Sequence, residues 1–320
     1  MNDIRKEVFV SKFSKEKNIE GNKMIYNILP EYGEGMFIIY EIIQGMYLSF
    51  NNLNIKNKIR NKTNSNFSSP VIKIDYCLDG SYISNCPCNR ICIVKKGNTA
   101  YYVGTKNFID VDFKGKRYQS ISIFCYLDEV TNAIKKTLGI SKKKIEYYYR
   151  NIMCRKNFLI VKTDPNILYK LNQIYNDIKD NNIELIKIRT IELFLLEINN
   201  YEDYKGKQER YYQKSTINKV HHIRDFIEEN MQEHMTIDNL SNRFNISSTK
   251  LKQCFKDING MGPYAYLKKY RMQTASELLS DSDYNILEIA NMIGYSNQSK
   301  FSASFKKTFG ITPLKYRKMQ

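Results

Sequence analysis

The sequence predicts an α+β chain in which a β-rich N-terminal domain ends in helices and precedes an all-α domain of two helix-turn-helix units. Three observations lead to this prediction. The apolar pattern is strand-like over residues 36–127, its period changes to that of helices after Leu127, and residues 236–320 contain an internal repeat. A polar stretch without periodicity at 200–216 predicts a linker between domains at 1–199 and 217–320.

The N-terminal domain carries the pattern of short strands. Over residues 72–78, apolar side chains alternate with Lys73, Asp75 and Cys77, as in a strand with one buried face. Further β-rich runs follow at Ile91–Lys95, Thr99–Val103, Phe108–Phe113 and Ser120–Tyr126. Turns are expected at Asp79-Gly80, Lys96-Gly97-Asn98 and Lys114-Gly115-Lys116. Many short strands separated by turns indicate a β-sandwich or a small β-barrel.

Helices are expected from about residue 128 onward. Asp128 is a candidate N-cap for a helix that ends at Gly139. Asp164-Pro165 combines an N-cap residue with proline at the first helical position, and Asn181-Asn182 ends the helix that begins there. A third helix is expected over residues 183–199.

This third helix carries two apolar rows, which are Ile188, Ile191, Leu195 and Ile198 in one and Ile186, Leu193 and Leu196 in the other. A helix that contacts one core needs a single row. We therefore expect the row that begins at Ile188 to face a second subunit and to make the chain a homodimer. The alternative is a helix buried on all sides within the N-terminal domain.

The internal repeat has eleven matched positions. Five positions recur after 49 residues, at Ile237, Leu240, Phe244, Ile246 and Ser247; six recur after 50 residues, at Leu251, Phe255, Lys256, Gly260, Pro263 and Tyr266. Each copy predicts a helix, a turn at Asn245-Ile246 or Gly294-Tyr295, and a second helix that a serine caps and a glycine ends. This is a helix-turn-helix pattern that occurs twice.

The second helix of each copy has a polar face that can enter a major groove. On the first copy this face holds Ser248, Thr249, Lys250, Lys252, Gln253 and Lys256; on the second it holds Asn297, Gln298, Ser299, Lys300, Ser302, Ala303, Lys306 and Lys307. Gln and Asn can pair with adenine, Lys can reach guanine or phosphate, and Thr and Ala methyl groups can contact thymine. A solvated helix face is also polar, but its duplication favours DNA binding. A helical pattern over residues 263–279 would hold the copies at the spacing of successive major grooves, roughly 34 Å.

Residues 219–318 resemble the DNA-binding domain of the AraC/XylS family of bacterial transcription regulators. The resemblance rests mainly on Ile286–Ser296, which is Ile-Leu-Glu-Ile-Ala-Asn-Met-Ile-Gly-Tyr-Ser, and on the later Phe309-Gly310 and Thr312-Pro313 pairs. It implies seven helices, promoter binding, and usually activation through RNA polymerase. It also implies base-reading positions at Thr249, Lys250, Gln253, Gln298, Ser299, Lys300 and Ala303. Several relatives place Arg or Trp at the positions of Gln253, Ala303 and Thr249. Base readout is therefore expected to be weaker or to depend more on the other contacts, and the target sequence cannot be copied from those relatives.

The same resemblance implies that residues 1–199 are a sensor and dimerisation domain, with a cupin-like β-barrel followed by helices. A small-molecule effector would bind in the barrel and change which domain arrangement is populated. Residues 1–216 hold 35 Lys+Arg against 23 Asp+Glu, which favours an anionic effector. A second hypothesis is a regulator without a ligand, in which this domain binds a protein partner. A third is an architectural protein that binds nucleic acid by its net charge of +17 alone.

The seven cysteines are odd in number and irregularly spaced, so we expect reduced thiols. Cys86, Cys88 and Cys92 place three thiols within seven residues, and such a group can bind a soft metal or form a redox pair. Their spacing is unlike that of a structural zinc site. The other interpretation is a cysteine-rich tip between strands, and we expect neither a metal nor a cofactor.

The sequence lacks the motifs of other functional classes. His221, His222 and His234 have no catalytic partners in the sequence, and no nucleotide-binding glycine motif occurs, so we expect no enzyme activity. No apolar run reaches the roughly 18 residues of a membrane span, and the first 20 residues have no apolar signal region. We expect a cytoplasmic protein.

Overall fold

The computed structural model describes residues 14–56, 66–85, 90–106, 111–153, 158–200 and 211–319. The chain divides into two compact units, Met1–Tyr211 and Tyr212–Gln320. No helix of the described residues is long and apolar enough to cross a membrane.

The described part of the N-terminal unit contains nine strands and four helices. The strands are β1 (Ser14–Glu20), β2 (Lys23–Ile28), β3 (Gly33–Ile43), β4 (Met46–Ile55), β5 (Asn66–Asn85), β6 (Arg90–Lys95), β7 (Asn98–Lys106), β8 (Val111–Tyr126) and β9 (Phe158–Lys162). The helices are α1 (Leu127–Leu138), α2 (Lys142–Met153), α3 (Pro165–Lys179) and α4 (Ile183–Asn200). The strands pair antiparallel in the order β1-β2-β3-β4-β8-β5, and β5 also pairs with β6 and β7, which continues to β9.

The sheet is open, because no ladder joins β1 to β9 in the part of the chain that is described. This corrects the predicted closed barrel. The physical reason lies in β5 and β8, which are 20 and 16 residues long and pair with several partners along their length. A long strand with different neighbours at its two ends lets the sheet branch instead of closing.

Two predicted turns lie inside these long strands. Asp79-Gly80 belongs to β5 and Lys114-Gly115-Lys116 belongs to β8. Gly80 has a φ of +78°, and the register with β8 shifts on both sides of Asp79. A glycine with positive φ here makes a β-bulge, which bends a strand without ending it. The turn at Lys96-Gly97 between β6 and β7 is confirmed.

Strands β6, β7 and the end of β8 confirm the runs predicted from residues 91, 99 and 120 onward. The run predicted at 108–113 lies partly outside the described residues. Strands β1, β2 and β9 were not predicted. The five-residue β9 is continuously apolar apart from its last residue, and a run this short has no diagnostic period.

The helix predictions for the N-terminal unit are confirmed except at one cap. Asp164 accepts a hydrogen bond from the Asn166 backbone N–H at 2.8 Å, and Pro165 opens α3. Helix α1 ends at Gly139 with a left-handed φ of 67°, as predicted, but its N-cap is Tyr126. Asp128 lies in the first turn instead, where its carboxylate accepts a hydrogen bond from Ser69.

One face of the sheet packs against the helices and forms the main core of this unit. Strand β5 contributes Ile72, Ile74 and Tyr76 to this core, and α4 contributes Ile186 and Leu193, all at most 1% exposed. Because side chains alternate along a strand, Asp75 and Cys77 belong to the opposite face.

The C-terminal unit contains seven helices among its described residues, as the family resemblance implies. They are α5 (Lys214–Glu229), α6 (Ile237–Arg243), α7 (Ser248–Asn259), α8 (Pro263–Asp281), α9 (Ile286–Met292), α10 (Gln298–Phe309) and α11 (Pro313–Arg317). A short strand β10 (Tyr211–Gln213) precedes them. Residues 211–216 belong to the predicted linker, but in the structure they form β10 and the start of α5.

The predicted repeat is present in the fold. Helices α6 and α9 are both seven residues long and start 49 residues apart, and α7 and α10 are both twelve residues long and start 50 apart. The matched apolar positions form the core of each copy: Leu251 and Phe255 in the first, and Phe301 and Phe305 in the second, are fully buried.

Candidate DNA-binding surface

The turn in each copy is a Schellman motif, which sets the angle between the two helices. In the first, the Ile246 N–H donates to the Ser241 carbonyl at 3.0 Å; in the second, the Tyr295 N–H donates to the Ala290 carbonyl at 2.8 Å. The motif requires one residue with positive φ. Asn245 fills that position with a φ of 47° and Gly294 with a φ of 80°.

The recognition helices, as we name α7 and α10, begin at different caps. Ser247 caps α7 as predicted, but its Oγ lies 3.4 Å from the Lys250 backbone nitrogen. For α10 the predicted cap at Ser296 is wrong, because Asn297 accepts from the Ser299 and Lys300 N–H groups at 2.9 and 3.0 Å. The second copy has one extra residue before its helix, which moves the cap to Asn297. The Asn297 side-chain oxygen, expected to face DNA, is therefore used within the protein.

The outer face of α7 is polar and lies opposite its core row. Thr249, Gln253 and Lys256 lie at i, i+4 and i+7, which is one side of a helix, and Lys250 and Lys252 flank them. The four lysine and threonine side chains are exposed, and Gln253 is half-buried. Four residues on the other side are buried, namely Leu251, Cys254, Phe255 and Ile258.

Ser248 differs from the other predicted contacts of α7. It is half-buried, donates a hydrogen bond to Asp238 at 3.0 Å, and is also hydrogen-bonded to Ser241. Both partners belong to α6. The Ser248 hydroxyl thus joins the two helices of the first copy.

The outer face of α10 is less rich in hydrogen-bonding groups. Its central positions are Ser299, Ala303 and Lys306, which match Thr249, Gln253 and Lys256 of the first copy at a spacing of 50 residues. All three are exposed, as are Gln298, Lys300 and Lys307, whereas Ser302 is half-buried.

Both faces are positively charged. Six lysines project from them, at positions 250, 252, 256, 300, 306 and 307, and none forms an ion pair with another described residue. A lysine without a protein carboxylate nearby is available to a phosphate. The two faces therefore combine side chains that can hydrogen-bond to bases with lysines that can bind phosphate.

Buried groups hold α7 in place. Burial raises the pKa of the Cys254 thiol to about 12. Tyr212 donates a hydrogen bond to Asp257 at 2.6 Å. Lys219 of α5 donates to the carbonyl of Asn245 at 2.6 Å and so ties the supporting helix to the turn. Nothing in the sequence indicates this role of Lys219, because a surface lysine on a helix has no pattern that separates a structural contact from solvation.

The predicted dimerisation row of α4 is divided between surface and core. Ile188 is 63% exposed, whereas Ile198 is 8% exposed. Ile191 and Leu195 are half-buried against the core of their own unit. Tyr169 on the neighbouring α3 is 62% exposed.

Two buried carboxylates lie in the N-terminal unit. Asp75 accepts hydrogen bonds from Ser122, Tyr118 and Tyr82 at 2.6, 2.8 and 3.1 Å, on the sheet face opposite the helices. Glu197 of α4 is fully buried and accepts from two tyrosine hydroxyls, those of Tyr76 at 2.8 Å and Tyr101 at 2.7 Å.

The cysteine prediction needs one correction, because Cys92 is disulfide-bonded. An odd number of cysteines argues against a disulfide framework, but it does not exclude a single disulfide. Cys86 and Cys88 lie outside the described residues. Three further cysteines are free and buried, namely Cys77, Cys125 and Cys254. No group of three or more His, Cys, Asp or Glu side chains that could hold a metal ion occurs in the described ranges.

Comparison with known proteins identifies the C-terminal unit. A model of the helix-turn-helix domain family matches residues 240–319. The probable transcription factor PqrA of Proteus vulgaris is 37% identical over 102 residues, which are 31% of this chain and 84% of that protein. The lactose operon transcription activator of Staphylococcus xylosus is 36% identical over 98 residues, so this chain spans about a third (35%) of that relative.

A solved structure is similar to about a third of this chain. The C-terminal domain of the two-component response regulator yesN from Fusobacterium nucleatum is 34% identical, with 31% of this chain and 98% of that one covered and a TM-score of 0.30. With the duplicated helix-turn-helix in place and a relative matched over most of its length, the chain belongs to the AraC/XylS family of transcriptional regulators.

Proposed function

We propose that this protein is a sequence-specific transcription activator that inserts α7 and α10 into successive major grooves of promoter DNA. The single observation that carries the proposal is the pair of exposed, lysine-bearing faces on two recognition helices with the same scaffold. A solvated surface would not need exposed lysines at matched positions in both copies, as at Lys250 and Lys300 and at Lys256 and Lys306. The name of the Staphylococcus xylosus relative, a lactose operon transcription activator, supports activation. RNA polymerase is the partner that we propose for this step.

We assign base reading to the central positions of the two faces and phosphate binding to their lysines. Gln253 can donate to N7 and accept from N6 of adenine as a bidentate pair, and Ala303 can contact a thymine methyl group. Lys250 and Lys300 match one another in the two copies and lie beside the central positions, where they can reach guanine or a phosphate. Lys252, Lys256 and Lys306 extend this positive surface along the helices.

The N-terminal unit is proposed to bind a small-molecule effector and to dimerise, in a cytoplasmic protein. Exposed Ile188 and Tyr169, on adjacent helices, support a contact with a second subunit. The positive charge of this unit favours an anionic effector, and a cupin-like arrangement is part of the same proposal. The buried Asp75 carboxylate would repel an anion, so the polar cluster around it is not the proposed site.

A ligand-independent regulator is the second candidate, and one observation favours it. The Asp75 carboxylate already accepts three protein hydrogen bonds, so an effector would have to replace partners that the protein supplies. In that case residues 1–199 would serve as a dimerisation and protein-interaction module.

The DNA-binding proposal is tested by selection from random-sequence DNA with the purified full-length chain at fixed salt. We expect an enriched motif with two elements about one helical turn apart. Binding to every sequence alike, with a steep loss of affinity in salt, would contradict the proposal and favour a charge-only binder.

A separate measurement distinguishes the sensor from the interaction module. The melting temperature is followed by circular dichroism with a panel of small carboxylates and phosphate esters at saturating concentration. A sensor shows an increase with one compound, because a ligand that binds only the native state stabilises it. An interaction module shows no increase with any member of the panel.

A further inference from the structure

Arg271 lies at a junction between the two helix-turn-helix units. It occupies the middle of α8, the helix that connects them, and its side chain is half-buried. Its Nε donates to the Met231 carbonyl at 2.7 Å, and one Nη donates to the Glu233 carbonyl at 3.1 Å. Residues 231–233 lie between α5 and α6, so these bonds attach the connecting helix to the first unit.

The guanidinium also lies against the turn of the second helix-turn-helix unit. Its central carbon is 5.7 Å from the centroid of the Tyr295 ring, within the range of a cation–π contact. Gly294 is packed so closely that a Cβ there would lie 2.7 Å from the Arg271 Nη2 and 2.6 Å from the Gln232 carbonyl oxygen. Arg271 and Gln232 therefore lie directly against the turn that positions α10.

A third contact joins the two helix-turn-helix units at the same place. The Met231 side chain packs against the core of the second unit, which includes Ile289, Phe301 and Phe305. The segment 231–233 is thus bound to the second unit by its methionine side chain, and to α8 by its carbonyl groups.

The chemistry of these bonds requires arginine. The guanidinium is planar, remains charged, and holds its donors in a fixed fork, so one side chain can bind two carbonyls and stack on an aromatic ring. Hydrogen bonds from a charged donor are shorter and stronger than neutral ones. A lysine at this position would keep the charge but would lose the fork.

We propose that Arg271 is a positioning residue that sets the offset between α7 and α10, and thereby the separation of the two DNA elements that the protein can bind together. The proposal rests on the two-helix reading of DNA proposed above. When the offset is fixed, binding of one element places the other helix at its own element. When it is loose, the second contact has a lower effective concentration, although each unit can still bind its own element.

The test uses the full-length chain and the two-element DNA that the wild-type protein selects. Further duplexes have one or two base pairs inserted or removed between the elements, and others carry only one element. The variants are Arg271→Gln, and Arg271→Lys in case the first does not fold, which circular dichroism reports.

The matched control is Arg317→Gln. Arg317 also binds two carbonyls, those of Leu279 at 3.4 Å and Tyr284 at 2.6 Å, but both partners are residues of α8 or of the loop that leads into α9. Loss of these bonds affects the second unit alone and does not touch residues 231–233.

We expect Arg271→Gln to lose about tenfold in affinity for the selected duplex and to discriminate less among spacings, while binding single-element duplexes as the wild type does. Arg317→Gln should keep the wild-type spacing preference. An unchanged spacing profile in folded Arg271→Gln, or an equal loss on single-element duplexes, would overturn the positioning role and leave DNA reading intact. If the wild type selects no two-element motif, both proposals fail.

Discussion

The two helix-turn-helix units have the same helices and the same turn, yet they differ in what surrounds the turn. Asn245 in the first unit and Gly294 in the second occupy equivalent positions with positive φ. Gly294 is enclosed by Gln232 and Arg271, so it has no room for a side chain, whereas Asn245 is exposed. The repeat therefore determines the scaffold, whereas contacts outside the repeat determine which residue the turn can hold.

The recognition faces differ as well. The first presents Thr249, Gln253 and Lys256, and the second presents Ser299, Ala303 and Lys306 at the matched positions. A glutamine can make two hydrogen bonds with a base, whereas an alanine offers only a methyl contact. At this matched position, Gln253 should therefore discriminate between bases more strongly than Ala303.

Exchange of the turn residues should give the largest difference between the units. Gly294→Asn should reduce the free energy of unfolding by roughly 2 to 4 kcal/mol, because its Cβ would overlap the backbone of Gln232. Asn245→Gly should change it by no more than about 1 kcal/mol, because glycine adopts the same φ without strain. Urea unfolding followed by circular dichroism measures both. Equal effects would show that the enclosure of Gly294 does not change the free energy of unfolding.

Loss of base contacts should be next in size. Gln253→Ala should cost about 1 to 3 kcal/mol at the selected site and relax the preference at one or two base pairs. The same result is expected for Gln298→Ala or Lys300→Ala in the other element. Competition with single-base variants of the selected DNA measures each effect. If a variant binds every sequence more weakly by the same factor, the residue contacts phosphate and does not read a base.

Removal of the N-caps of the two recognition helices should give a smaller difference, with the larger loss of stability in the second helix-turn-helix unit. Asn297→Ala removes two hydrogen bonds of about 3 Å and should destabilise the protein by about 1 to 2 kcal/mol. Ser247→Ala removes one bond of 3.4 Å and should cost about 0.5 kcal/mol. Thermal denaturation by circular dichroism compares the two variants with the wild type. A larger loss for Ser247→Ala would contradict the assigned caps.

Thiol chemistry should have the smallest effect on DNA binding. Since the pKa of Cys254 is raised to about 12 by burial, the native thiol stays protonated and inert to iodoacetamide at pH 8. Mass spectrometry should find Cys254 alkylated only after urea is added, and DNA affinity should be unchanged by the reagent. Above pH 9 the unfolded thiol ionises while the native thiol does not, so this group favours unfolding progressively up to about pH 12. Rapid native alkylation would show that the back of α7 is not packed as described.

The sequence predicted the C-terminal unit far better than the N-terminal one, for a physical reason. In the repeat, each matched apolar residue repeats a local contact, so period and spacing are enough to predict the helices. Strand pairing depends on residues far apart in the chain, and nothing local in the sequence around Gly80 distinguished a bulge in a long strand from a turn. The prediction of a closed barrel failed for this reason.

The sequence pattern also could not predict the close contacts of single residues. Gly294 matched the expected helix-turn-helix turn, but the pattern could not show that Gln232 and Arg271 press against it. The extra residue before α10 was visible, yet its consequence for the cap at Asn297 required the backbone. Ile188 and Ile198 share one apolar row, and only the fold separates an exposed side chain from a buried one.

The central claim is that two unequal recognition helices read two major-groove elements. Methylation interference on the selected DNA, with the full-length chain, tests it most directly, because it reports guanine N7 in the major groove. We predict two clusters of interference about one helical turn apart. A single cluster, or no interference, would contradict the claim.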